Sequence, residues 1–153
     1  MKKIKLTQGK YAIIDDEFYE EVSKYKWHFG NGYAKRKNPS FKPKLFGMHH
    51  VVLPLQKGLM IDHINGNGLD NRRANLRLVT KSQNMMNRGK QINNKSGYMG
   101  VCWHKQHGRW RAYIKVNKKQ ISLGLYDTLK EAAKAYNEGA KKYHREYAYL
   151  NKI

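Results

Sequence analysis

Residues 110–116, Trp-Arg-Ala-Tyr-Ile-Lys-Val, alternate between apolar and polar side chains without a fault. Successive side chains of a strand point to opposite faces, so this pattern fits a strand and defeats a helix. Trp110, Ala112, Ile114 and Val116 fall on one face, and Arg111, Tyr113 and Lys115 on the other. Further strands are predicted over 98–105 and 120–123, with a turn at Asn117-Lys118-Lys119. Thr128 followed by Glu131 then forms a capping box. Behind it Leu129, Ala132, Ala133, Tyr136, Ala140 and Tyr143 recur at helical spacing. The prediction is a three-stranded antiparallel sheet packed on one helix, its alanines small enough for close approach, with a basic, aromatic face left open. The same alternation assigns Trp103 and Trp110 to the core under the helix.

Two more regions precede this one. Residues 1–47 read as a β-rich module: strands at Lys3-Ile4-Lys5-Leu6 and Tyr11-Ala12-Ile13-Ile14, then a helix over 16–25 capped by Asp15. Strands follow over 27–29 and 33–36, with a basic loop at Lys35-Arg36-Lys37-Asn38-Pro39. Residues 48–90 read as strand (48–55), strand (59–64), a turn-rich loop, strand (76–79) and a short helix from Lys81 to about Asn87, capped by Thr80 and Gln83. Residues 91–95 serve as a linker to a module spanning 96–153. The fold class is therefore α+β.

The 31 Lys and Arg outnumber the 11 Asp and Glu, for a formal net charge of +20. Self-repulsion on that scale is relieved by an anionic partner. The excess is +6 over residues 1–47 (11 basic against 5 acidic), +5 over 48–90 (7 against 2) and +9 over 91–153 (13 against 4). A spread of this kind suits a long track along a phosphate backbone better than an appended tail. The alternatives on composition are a ribosome-associated or membrane-surface protein. Hydrophobic content of 40% with 12% aromatics argues against wholesale disorder. Cys102 is the lone cysteine, which excludes an internal disulfide framework and fits a reducing compartment. No apolar run nears the roughly 20 residues of a membrane span, and no secretory signal follows the charged start. A cytoplasmic setting is expected, and for a phage-encoded chain that means the host cytoplasm.

Asp62, His63, Asn75 and Asn84 stand at D-H-x(11)-N-x(8)-N spacing. A phosphodiester repels nucleophiles and has a poor leaving group, and a single Mg²⁺ or Mn²⁺ ion answers both difficulties. Such hard cations take carboxylate and amide oxygens, which Asp62 and Asn84 offer as metal ligands. On a strand His63 points away from Asp62 and is left to act as general base. Asn75 can hold the imidazole nitrogen not used in catalysis. Asn87, one turn beyond Asn84, is the substitute ligand. Asn65, Asn67, Asp70 and Asn71 read as turn scaffold. Arg72, Arg73 and Arg77 flank the site as phosphate clamps or as a solvated face.

The stretch IDHINGNGLDNRRANLRLVTKSQNMMN, with MHHVV before it, resembles the HNH (histidine–metal finger) endonucleases, closest to phage and intron-type homing enzymes. The resemblance implies a ββα-metal core. It puts the base at His63, an orienting amide at Asn75, and metal ligands at Asp62 and Asn84. Asn in the last position, where many relatives have His, favours a hard oxygen-loving cation over zinc. His49 matches a histidine common before the motif, and a structural role is the reading for it. Residues 96–151, through YMGVCW, GRWRAYI, LGLYDTLKEAAKAY and the closing LN, resemble the APETALA-type DNA-binding domain of plant ethylene-response factors. That family lays its sheet in the major groove, which points to His104, Arg111, Tyr113, Lys115, Gln120 and Ser122 as contacts to double-stranded DNA. Met99, Cys102, Gln120 and Ser122 depart from the plant pattern, so the plant target sequence does not transfer.

Together these readings describe a site-specific, homing-type DNA endonuclease, nicking as a monomer and needing a homodimer to cut both strands. A DNA-binding regulator on an inactive nuclease scaffold, and an RNA-binding protein, are the alternatives.

Overall fold

Alternation in the first fourteen residues produces a hairpin. Strands β1 (Lys2–Lys5) and β2 (Tyr11–Ile14) pair antiparallel, Lys2 opposite Ile14, and turn Ile4, Ala12 and Ile14 inward. The computed structural model describes residues 1–37, 45–90 and 93–153 and separates into two compact units, Met1–Lys81 and Ser82–Ile153. Asn38 and Pro39 of the expected basic loop, and residues 91 and 92 of the expected linker, lie outside the described residues.

In the first unit a 3-10 turn leads into a short helix, α1 (Tyr19–Ser23). Asp15 does not cap it. Its carboxylate instead accepts the backbone N–H of Arg73 at 2.7 Å, a partner 58 residues away that no local rule could supply. Strands β3 (His28–Gly30), β4 (Tyr33–Lys37) and β5 (Leu45–Gly47) form an antiparallel sheet in that order. The strand expected over 33–36 is present and runs on through Lys37, so the described part of the expected basic loop at 35–39 is strand. The guanidinium of Arg36 lies 3.8 Å from the centroid of the Tyr25 ring, a stacked arrangement that desolvates it on one side.

The strand expected over 48–55 is a single helical turn, α2 (His49–Val52). The run Met-His-His-Val-Val-Leu-Pro-Leu has no clean period to choose by, and the helical turn wins because it buries Met48 and Val52, four apart, together. Strands β6 (Met60–His63) and β7 (Leu76–Val79) form an antiparallel ribbon. One hydrophobic core joins these parts, with Ile4, Ile14, Val22, Trp27 and Ala34 packing in the same cluster as Met48, Val52 and Leu76.

The second unit is built on strands β8 (Val101–His104), β9 (Arg109–Val116) and β10 (Lys119–Tyr126), with β9 central. Helix α3 (Lys81–Met86) leads into this unit, and helix α4 (Leu129–His144) covers one face of the sheet. Asn117 and Lys118, both at positive φ, close the β9–β10 hairpin in two residues, the geometry whose twist matches the flanking strands. The Thr128–Glu131 capping box is present in both directions. Ala112, Ile114, Ala132, Ala133, Tyr136 and Ala140 make the buried layer. Asn151 staples the chain end by exchanging hydrogen bonds with Met99 and Asn137. Trp103 does not belong to the core. It is 49% exposed and meets the half-buried Trp110 edge-on at 5.1 Å. Alternation selects the face of a strand, but not how far along it the helix reaches. Among the described residues no helix is long and apolar enough to cross a membrane.

Gly100 has φ +67, and a Cβ there would stand 2.1 Å from the buried Tyr136 ring. Gly100→Ala should destabilise the C-terminal unit by about 2–4 kcal/mol through strain and overpacking. Gly97→Ala, at φ +78 with nothing within 4 Å, should cost clearly less. Urea unfolding followed by tryptophan fluorescence compares the two.

Candidate active site

Pairing of β6 with β7 sets Asp62 opposite Arg77 and His63 opposite Leu76. Alternation sends the carboxylate and the imidazole to opposite faces of the ribbon. The guanidinium of Arg77 donates from Nε to Asp62 Oδ2 at 3.0 Å, and its Nη2 lies 2.9 Å from the same oxygen. Arg77, expected as a phosphate clamp, thus supports the carboxylate, which is only 7% exposed. A carboxylate has about four lone-pair sites, so this pairing is compatible with ligation of a cation. Among the described residues no three His, Cys, Asp or Glu side chains converge as a metal site. The donors on offer are a carboxylate and carboxamides, which suit a hard cation.

His63 is 5% exposed. Its ring lies against those of Tyr33, at 5.6 Å, and His49, at 5.3 Å. Burial pushes its pKa below the ordinary 6.5, while Asn71, Asp62 and Asp70 pull in the other direction. The imidazole is therefore neutral near pH 7, the form that can accept a proton. His49 is pushed down to about 3, first by burial and then by its histidine neighbours, which fits the structural role expected of it.

The loop between the two strands is knitted by side-chain amides. Asn75, at the end of a 3-10 turn, accepts the Asn65 N–H at its Oδ1 and donates from Nδ2 to Asn65 Oδ1 and the Asp70 carbonyl, the last at 2.7 Å. Asn65 Nδ2 donates to Asp70 Oδ2, and Asn65 and Asn67 each accept a backbone N–H two residues on. Arg72 grips Asp70 with Nε and Nη2 at 2.7 and 2.6 Å, holding its carboxyl below the usual carboxylate range. Arg73 donates from Nη1 to the Leu76 carbonyl. All three flanking arginines thus have intramolecular partners.

The amide drawn up to the imidazole is Asn71, whose Oδ1 lies 3.4 Å from His63 Nε2. Asn71 is fully buried. Nothing in the sequence separated it from the other turn asparagines around it, and only the D-N-R stretch beside the motif could have drawn attention to it. The structure thus brings Asp62, His63, Asn71 and Asn75 together within the first unit. Asn84 stands half-buried on α3, and Asn87 just beyond α3 is buried.

In the second unit the register aligns Cys102 with Arg111, Tyr113 with Ser122 and Lys115 with Gln120. His104, Arg111, Tyr113, Lys115, Gln120 and Ser122 therefore share the sheet face turned away from α4. Lys115, Gln120 and Ser122 are exposed there, and the other three are half-buried.

Family profiles match this chain twice, as HNH endonuclease over residues 49–86 and as AP2 domain over residues 96–146. An uncharacterized HNH endonuclease, L560, of Acanthamoeba polyphaga mimivirus is 29% identical over 153 residues, 95% of this chain and 77% of the viral protein. Protein 3.8 of Escherichia phage T7 is 34% identical over 95 residues, 62% of this chain and 78% of the phage protein. The AP2-like ethylene-responsive transcription factor ANT of Arabidopsis thaliana is 43% identical over 56 residues, 35% of this chain but 10% of the plant protein. No solved structure matches. With a buried imidazole beside an arginine-held carboxylate in the matched segment, and that extent of likeness to the phage protein, the chain belongs to the HNH endonuclease family and carries an AP2 domain behind its nuclease motif.

Proposed function

We propose that the chain is a divalent-metal-dependent DNA endonuclease, site-specific and of the homing type, in which residues 62–84 hydrolyse a phosphodiester while the β8–β9–β10 sheet holds the duplex. The observation that carries this reading is His63, buried between the Tyr33 and His49 rings on a strand next to Asp62. Asp62 and Asn84 would hold a Mg²⁺ or Mn²⁺ ion, which when bound neutralises charge on the phosphate and on the departing oxygen. His63 takes a proton from the attacking water as general base. Arg77 holds the Asp62 carboxylate in place, and Asn75 keeps the loop in register with both. The products are 5′-phosphate and 3′-hydroxyl ends. One chain has one such site, so it nicks a single strand, and two chains are needed for a double-strand break. The sheet face bearing Arg111, Tyr113, Lys115 and Gln120 offers guanidinium, ammonium and amide donors to a groove and its phosphates. Viral relatives support a role inside an infected host cell.

Supercoiled plasmid should be nicked in Mg²⁺ or Mn²⁺, with EDTA abolishing the activity and His63→Ala lowering it by about 10²–10⁴-fold. Undiminished cutting by that variant would refute the base. Duplex binding without any cutting would support a DNA-binding regulator instead. Because burial lowers the pKa of His63, its neutral form persists into mildly acidic solution. The acid limb of the rate–pH profile should accordingly fall below 6.5, with activity lost only as pH drops through the lowered value. Affinity should fall steeply and log-linearly with salt. Lys115→Ala should weaken binding to all sequences alike and flatten the salt slope by about one, measured by fluorescence anisotropy. Preference for structured RNA over duplex in competition would count against the sheet-in-groove arrangement.

A further inference from the structure

A fully buried asparagine is costly unless its amide is satisfied, because a polar group taken out of water and left without a partner forfeits its hydrogen bonds. Asn71 is 0% exposed, and its Nδ2 finds no hydrogen-bond partner among the described residues. A leucine would pack there without that penalty, so packing alone does not account for the residue. What the amide does touch is His63, its Oδ1 lying 3.4 Å from Nε2. The other amide expected to serve the imidazole, that of Asn75, is taken up at both ends by Asn65 and Asp70.

The backbone of Asn71 is held independently of its side chain. Its N–H donates to the Ile13 carbonyl at 2.8 Å, and Ile13 N–H donates to the Leu69 carbonyl at 2.8 Å, so β2 grips the loop on both sides of Asp70. Asp70 is itself clamped by Arg72 and Asn65. The Asn71 carboxamide thus stands on a platform supplied by the N-terminal hairpin. The Tyr33 and His49 rings restrict the imidazole from its sides.

We infer that Asn71 is the positioning residue for His63: its carbonyl accepts the Nε2–H, selects that tautomer, and leaves the basic lone pair on Nδ1. This deepens the nuclease reading and rests on it. It gives residues 1–14 a part in catalysis, through Ile13, that does not require them to touch the substrate. The device needs one committed ring nitrogen, and an acceptor that cannot swing away.

The test uses the full chain labelled with ¹⁵N-histidine. Two-bond ¹H–¹⁵N correlation at pH 7.5 distinguishes the two tautomers, and His63→Ala identifies the signal of interest. The wild type should show His63 with its proton on Nε2. Asn71→Leu should give a mixture of tautomers and lower the nicking kcat by about 10–10²-fold at unchanged KM, part of the 10²–10⁴ worth of a general base. Asn71→Asp, which retains an oxygen acceptor, should keep the Nε2–H signature and recover activity to within about tenfold of wild type. A wild-type imidazole protonated on Nδ1 would mean that the amide faces it with its NH₂, and would overturn the assignment. So would an Asn71→Leu variant with unaltered tautomer and rate. If Asn71→Leu does not fold, the wild-type and Asn71→Asp spectra still decide. A wild type that fails to cut DNA while keeping the Nε2–H tautomer would defeat the nuclease reading and leave the placement of His63 by Asn71 standing.

Discussion

Two backbone hydrogen bonds, from the Ile13 N–H to the Leu69 carbonyl and from the Asn71 N–H to the Ile13 carbonyl, tie the loop of the candidate site to a hairpin more than fifty residues earlier. Apart from Leu69, residues 65–71 are all asparagine, glycine or aspartate, a composition with many accessible conformations and little to bury. Fastened to β2, the loop becomes a frame on which Asn65, Asp70 and Asn75 close a set of mutual hydrogen bonds. Asp15 adds a second tie through the Arg73 amide. The order of His63 and Asn71 depends on these links. They explain why residues 1–47 share a core with the HNH segment: Ile4, Ile14 and Leu76 pack in one cluster.

Electrostatics around the site follows from the same frame. In a chain of net charge +20, Asp62 and Asp70 are the two acidic residues of the 48–90 segment, and each is held by an arginine. The pairings fix both carboxyls in place and use up arginines that sequence position alone would offer to phosphate. Positive charge free to meet a polyanion lies more plainly on the open sheet face, where Lys115 is exposed and Arg111 half-buried. Of the residues proposed for the chemistry, Asp62, His63 and Asn75 belong to Met1–Lys81 and Asn84 to Ser82–Ile153, which also carries the whole of the proposed groove contact.

Much of the C-terminal unit was legible residue by residue. Period-two alternation in 110–116 and the Thr128–Glu131 capping box are local signals, and local signals survive into the structure when neighbouring elements are also neighbours in sequence. Trp103 was misread because coverage by α4 depends on helix position. The 48–55 segment forms a helical turn where a strand is expected, because its mix of Met, His, Val and Leu has no clean period and leaves the choice between strand and helix to packing. Asp15 has the chemistry of a cap, and its use was decided by a partner across the fold.

Sequence by itself determined the chemistry available: a carboxylate and an imidazole adjacent on a strand, a ladder of amides after them, a strongly basic chain, and a sheet with one apolar and one basic face. Spacing and residue type settle these because they depend on covalent neighbours and on side-chain period. Only the tertiary structure decided which amide meets His63, which arginine meets Asp62, and that β2 holds the loop. Several asparagines and arginines here are chemically interchangeable, and contacts across tens of residues, not anything local, choose among them.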